Sequence, residues 1–299
     1  MGGGTYSVET ATTRRAVSDY HTKSNDEIFQ SRMVDPGMDP RAFTMRESRD
    51  SDEHPESFAI CIGLDVTGSM GSVPQELVRD GLPRLMGRIL QNGEPDPQIL
   101  FMGIGDHECD EGPLQIGQFE SDDEMIDKWL LATWLEGGGG GNMGESYLLA
   151  WYAALRTQID CLEKRGRKGL LFTIGDEPCL PSIHNRRLGA IVGDPQLAKS
   201  DGFINANELL YQAREVYDIY HIHVLSTRAG QRFHRDPGWL EAMGDNLLTA
   251  RNASDVIDVI AEVCVQNREK WIAQKDVGVE SQQTEETPEI KEEDTPMFL

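Results

Sequence analysis

The chain has 299 residues, with 28 Lys and Arg against 51 Asp and Glu and a formal net charge of −23. That length fits one large domain or two small ones, and it is enough to bury a core without disulfides or a structural metal. The acidity argues against bulk nucleic-acid binding, which needs a basic footprint, and no apolar run approaches the roughly 20 residues of a membrane-crossing helix.

Residues 1–57 are polar and lack apolar periodicity. They start Met1-Gly2-Gly3-Gly4-Thr5-Tyr6, without a charged-then-apolar leader pattern. The stretch from Arg46 to Pro55 is nearly all charge and reads as a surface arm, although Ile28, Phe29, Met33 and Phe43 offer it apolar contacts with a body. Phe58-Ala59-Ile60-Cys61-Ile62-Gly63-Leu64 is a continuous apolar run, the pattern of a strand buried on both faces of a parallel sheet.

Leu77, Leu82, Leu85, Met86, Ile89 and Leu90 follow at helical spacing, with Gly81 and Pro83 as irregularities. Ile99 to Ile104 predicts a second strand, and Leu114 to Phe119 alternates like an edge strand paired with it. Asp122 to Leu135 and Glu145 to Ile159 read as helices, the first with Asp122 as its cap.

Gly169 to Ile174 predicts another buried strand, Ala206 to Val216 a helix, and Ile219 to Leu225 a strand whose His221 and His223 share one face. An amphipathic helix from Ser254 to Ile272 closes the domain. The tail from Asp276 to Leu299 carries eight acids against Lys291, a disordered acidic composition that runs out in Pro296-Met297-Phe298-Leu299. Alternating strands and helices predict an α/β domain over residues 58–275: a doubly wound, mostly parallel central sheet flanked by helices, with one antiparallel edge strand.

The first strand runs into Asp65-Val66-Thr67-Gly68-Ser69-Met70-Gly71. A buried strand that ends in Asp-x-Thr-x-Ser puts a carboxylate and two hydroxyls at the carboxyl edge of the sheet, where open α/β folds bind ligands. Such hard oxygen donors, with few carboxylates, suit Mg²⁺. Here the chain resembles the von Willebrand factor type A (VWA) family, whose metal-ion-dependent adhesion site has the form Asp-x-Ser/Thr-x-Ser.

Further segments extend the resemblance. Thr173-Ile174-Gly175-Asp176-Glu177-Pro178 places Asp176 where family members carry a second acid. The glycine run Gly137 to Gly141, leading into Asn142-Met143-Gly144-Glu145-Ser146, is similar to the family's second loop. Asn142 stands there in place of a Thr or an acid, with Glu145 three residues on. Gly105-Asp106-His107-Glu108 and Gly175-Asp176-Glu177-Pro178-Cys179 are closest to the VWA branch found beside alpha-kinase and hemicentin domains.

The resemblance covers roughly residues 58 to 265 and implies a Rossmann-like fold. It also implies a Mg²⁺ site, with Mn²⁺ or Ca²⁺ as alternatives, made from Asp65, Thr67, Ser69, Asp176, Asn142 and Glu145. No residue is singled out as catalytic. The implied function is an intracellular adaptor, or a subunit of a multiprotein machine linked to an AAA+ ATPase. Its protein partner would offer an Asp or Glu to the metal, with no nucleic acid or membrane involved.

The alternative is a metal-assisted hydrolase or phosphoryl-transfer enzyme at the same edge, for which no dedicated nucleophile is evident. The glycine run is not a phosphate loop, because Glu145 occupies the lysine position of Gly-Lys-Ser/Thr. His107, Cys109, Cys179 and His184 form a rival zinc set of unusual spacing. The five scattered cysteines contain no CxxC pair, which suits reduced thiols in the cytoplasm.

Overall fold

The structure, a computed structural model, describes residues 4–137 and 142–283. Six strands build the central sheet: β1 (Ser57–Asp65), β2 (Asp96–Ile104), β3 (Leu114–Ile116), β4 (Gly169–Gly175), β5 (Tyr217–Val224) and β6 (Leu247–Ala250). Their order is β3-β2-β1-β4-β5-β6, with every neighbouring pair parallel except β2 and β3. This is the order of a doubly wound α/β sheet, and its topological switch point falls between β1 and β4. All nine residues of β1 and of β2 are buried, as a sheet covered on both faces requires.

Two groups of helices cover the sheet. Val8–Ser18, Leu82–Gln91 and Ala253–Gln283 form one packed group, with Asp123–Ala132 against the first of them. Leu148–Ala154 and Ala206–Ala213 pack together elsewhere, and Ala150 lies over Gly63 of β1. Each Ile, Leu or Phe that leaves water in these layers contributes about 1.5–3 kcal/mol. At the irregularity foreseen around Gly81 the helical segment widens into a π-helical stretch, Leu77–Gly81. A Cβ on Gly81 would stand 3.0 Å from Ile257 of the closing helix.

The residues before β1 are not a detached arm. Tyr6, Ala11, Ile28 and Phe29 belong to the same buried core and Met38 is buried, whereas Met33 is exposed. Helix Val8–Ser18 docks through charge: Arg15 is buried and meets Asp127 at 2.5 Å, and Arg14 meets Asp123 at 2.5 Å. The helix expected over Glu145 to Ile159 is shorter, Leu148–Ala154. Thr157–Ile159 leaves it to pair in parallel with Arg46–Ser48. The closing helix continues through Gln283, past the boundary read at 275, and residues 284–299 lie outside the described residues. No described helix is long and apolar enough to cross a membrane.

Candidate metal centre

β1 delivers Asp65 to the carboxyl edge of the sheet, and β4, its neighbour across the switch point, delivers Asp176 one residue beyond Gly175. The chain after β1 turns back on Asp65. Its Oδ1 accepts the Thr67 backbone N–H at 2.9 Å and the Thr67 hydroxyl at 2.5 Å. The Thr67 and Ser69 hydroxyls are 3.5 Å apart, and Ser69 Oγ donates to Asp176 Oδ1 at 3.3 Å. Asp65, Thr67, Ser69 and Asp176 are thus linked in one hydrogen-bonded group. The preceding segment steadies the loop, since Asn25 Nδ2 donates to Gly71 O at 2.9 Å.

The second oxygen of Asp65 accepts from the buried Tyr147 hydroxyl at 3.0 Å. That contact needs a glycine in β4: a Cβ on Gly175 would sit 1.7 Å from Tyr147 Oη. Behind Tyr147, His221 stacks on Trp239 at 3.7 Å and meets the tyrosine ring edge-on at 4.9 Å. Tyr147 carries no sequence signal of its own. It is an aromatic residue at the start of a helix, and its role depends on space cleared in another strand.

Glu145 is drawn to this edge by backbone bonds. Its N–H donates to Pro178 O and its carbonyl accepts from Leu180, both at 2.9 Å. Its side chain is buried and Oε2 has no hydrogen-bond partner. Asp176 Oδ2 and Asp106 Oδ2 are buried and unpartnered in the same way. Asn142 turns elsewhere, donating from Nδ2 to Glu108 at 2.8 Å, and Gly138–Gly141 lie outside the described residues.

The electrostatics follow from burial without ion pairs. Among the described residues no Lys, Arg or His pairs with Asp65, Asp106, Asp110, Glu145, Asp176 or Glu177. Burial pushes the Asp65 carboxyl up to about 7; the Thr67 bonds pull it down and the Asp176 charge pushes it further up. Glu145 is pushed up to about 10, first by burial and then by the charges of Asp65, Asp106, Asp110 and Glu177. Isolated buried carboxylates are costly, and a bound cation or a proton relieves them.

The donors present fit Mg²⁺: hydroxyls and one or two carboxylate oxygens, with buried carboxylate oxygens that hydrogen bonding leaves unsatisfied. Among the described residues no three His, Cys, Asp or Glu side chains are arranged to hold a metal between them. The rival zinc set does not assemble. His107 Nδ1 pairs with Ser146 Oγ at 2.7 Å, and His184 Nδ1 caps the helix Asn185–Val192 by accepting from the Arg186 backbone.

No family model matches the chain, and no curated protein does. Among solved structures, the pilus adhesin SpaC from Lactobacillus rhamnosus GG in its open conformation aligns at TM-score 0.45 and 10% identity, over 74% of this chain and 31% of the adhesin. A second crystal form of the same adhesin aligns at TM-score 0.45 and 11% identity, over 74% and 32%. The chain therefore spans about a third of the adhesin's length.

Proposed function

We propose that this chain is a Mg²⁺-dependent protein-interaction module of the VWA type. The observation that carries the reading is the hydrogen-bonded convergence of Asp65, Thr67, Ser69 and Asp176 at the switch point, amid buried carboxylates with no cation to answer them. Asp65 anchors the loop through Thr67, Ser69 spans to Asp176, and Tyr147 fixes the far oxygen of Asp65. Glu145 lies within electrostatic reach of Asp65, and its Oε2 has no hydrogen-bond partner. Bound there, Mg²⁺ would supply an electrophilic position that accepts a carboxylate oxygen from outside the chain.

A net charge of −23 opposes long-range approach of an acidic protein. The partner therefore presents a local Asp or Glu on a neutral or basic surface. Intracellular machines driven by AAA+ ATPases are the setting that the family resemblance suggests.

Calorimetric titration with Mg²⁺, together with affinity capture in Mg²⁺ and in EDTA, tests the reading. Wild type is expected to bind Mg²⁺ and to retain a partner only while the metal is present, and Asp65→Ala to lose both with its fold intact. Partners captured equally by Asp65→Ala and in EDTA would overturn it.

A further inference from the structure

His223 lies on β5 directly across from Gly175 of β4, so it is the cross-strand neighbour of the residue that introduces Asp176. Its ring is buried and held from one side, with Nε2 2.9 Å from the Gly230 carbonyl oxygen. A carbonyl only accepts, so Nε2 carries the proton of that bond. Gly230 makes the approach possible, because a Cβ there would lie 1.8 Å from Val224 O, and Thr227 Oγ1 pins its N–H at 2.8 Å.

With Nε2 protonated, neutral His223 has a bare lone pair on Nδ1. That nitrogen is buried and has no partner, and the same is true of Asp176 Oδ2. Two orphaned acceptors thus sit on adjacent strands, one residue apart in register, and the Asp176 charge reaches the His223 ring. Two acceptors cannot satisfy each other, but a molecule with two donors satisfies both, and buried water is the commonest such group.

We propose that His223 is a positioning residue for Asp176: a bridging water donates to His223 Nδ1 and to Asp176 Oδ2 and fixes the orientation in which Asp176 Oδ1 meets Ser69. The neutral ring that this requires agrees with the surroundings. Burial pushes the imidazole below its ordinary range, against the opposing pulls of the Gly230 bond and the Asp176 charge. Partners behind ligating groups orient them, and removing one costs about 10–100-fold in metal affinity. The inference rests on the Mg²⁺ reading only for its consequence; the coupling of His223 to Asp176 is a property of the metal-free chain.

Two measurements on the full chain test it. In the first, long-range ¹H–¹⁵N spectra of the histidine rings are recorded without metal for wild type and Asp176→Asn. The His223 Nδ1 resonance is expected to move, because an amide presents a donor to the water. A resonance that stays in place overturns the inference. The second is Mg²⁺ affinity for wild type, His223→Gln and His223→Asn, with melting temperatures alongside. Gln keeps a donor for Gly230 but nothing at the Nδ1 position, and is expected to bind Mg²⁺ about tenfold or more weakly. Asn places a polar group at the Nδ1 position and is expected to recover most of that loss, an order that a purely structural role would not produce. Equal affinities in both variants and wild type overturn the positioning role. If wild type binds no Mg²⁺ while Asp176→Asn still moves Nδ1, the metal reading falls and the coupling stands.

Discussion

The two edges of the sheet treat buried acids in opposite ways. At the amino edge Glu94, Asp50 and Asp160 each meet a cation, whereas Asp218 there has no ion pair among the described residues and is raised by burial. Glu94 takes a two-point contact from Arg167 at 2.9 and 2.7 Å, Asp50 meets Arg165 at 2.8 Å and Lys164 at 3.1 Å, and Asp160 meets Arg49 at 2.8 Å. Burial alone would raise Asp50 and Asp160. Hydrogen bonds from Arg165, Ser57 and Lys164 to Asp50, and from Lys164, the Asp50 backbone and Arg49 to Asp160, outweigh it and hold both below the usual carboxylate range. At the carboxyl edge Asp65, Glu145, Asp110 and Glu177 are all raised, with burial the first cause in each. The chain gives three of its amino-edge acids a cation and leaves the cluster at the carboxyl edge without ion pairs, and clustered perturbed groups of that kind mark functional sites.

The sharpest way to break this comparison is to make the same isosteric change at both edges. Glu94→Gln strands the buried guanidinium of Arg167, and is expected to cost about 3–5 kcal/mol in denaturant unfolding, the range for breaking a buried pair. Asp65→Asn removes a buried charge that nothing neutralises, so the metal-free protein is expected to gain stability while losing Mg²⁺ binding. Equal destabilisation by the two substitutions would mean that the carboxyl edge is paired after all.

A gentler version uses pH. Asp65, raised to about 7, and Glu145, raised to about 10, hold protons more tightly in the folded chain than in the unfolded one. The stability of the metal-free fold from these groups is fully present below their unfolded values near about 4 and falls as pH rises through 7 and towards 10. Asp50 and Asp160 act with the opposite sign: their contribution is present above about 4 and is lost on acidification. Mg²⁺ competes with the protons at the carboxyl edge, so the rise in melting temperature that it produces is expected to be larger at pH 8 than at pH 5. Scanning calorimetry with and without Mg²⁺ checks this; a gain that is flat or reversed across that range would place the metal elsewhere.

The same contrast explains what the sequence makes legible. Strands buried on both faces read as unbroken apolar runs, so β1, β2 and β4 stand out, and with them the loop from Asp65 to Gly71, while β5 reads through the alternation of its histidines with apolar residues. Helix Val8–Ser18 does not stand out, because it buries Arg15 against Asp127 rather than an apolar stripe. Strand β6 is four residues at the sheet edge, too short for a period-two pattern. Thr157–Ile159 continues the apolar pattern of the helix before it. Only its partner Arg46–Ser48, about a hundred residues away, turns it into a strand. At the site, Asp65, Thr67 and Ser69 are readable from spacing and Asp176 from the family resemblance, whereas Tyr147 and His223 are not. Their contacts exist only because Gly175 and Gly230 leave room on other elements.

The smallest expected effect concerns Asn142, which lies on the rim of the bare edge. Its amide donates to the exposed Glu108 rather than to Asp65 or Asp176. One such exposed bond contributes about 0.5–1.5 kcal/mol, so Asn142→Ala is expected to weaken Mg²⁺ by less than about tenfold in calorimetric titration. Asn142→Asp adds a carboxylate beside Glu108 and sharpens the question. If the rim takes no part in holding the cation, the new charge repels Glu108 and affinity changes little. If affinity instead rises steeply, the segment after the glycine run reaches the metal in the bound state, and the bare edge includes residues that the metal-free arrangement holds apart.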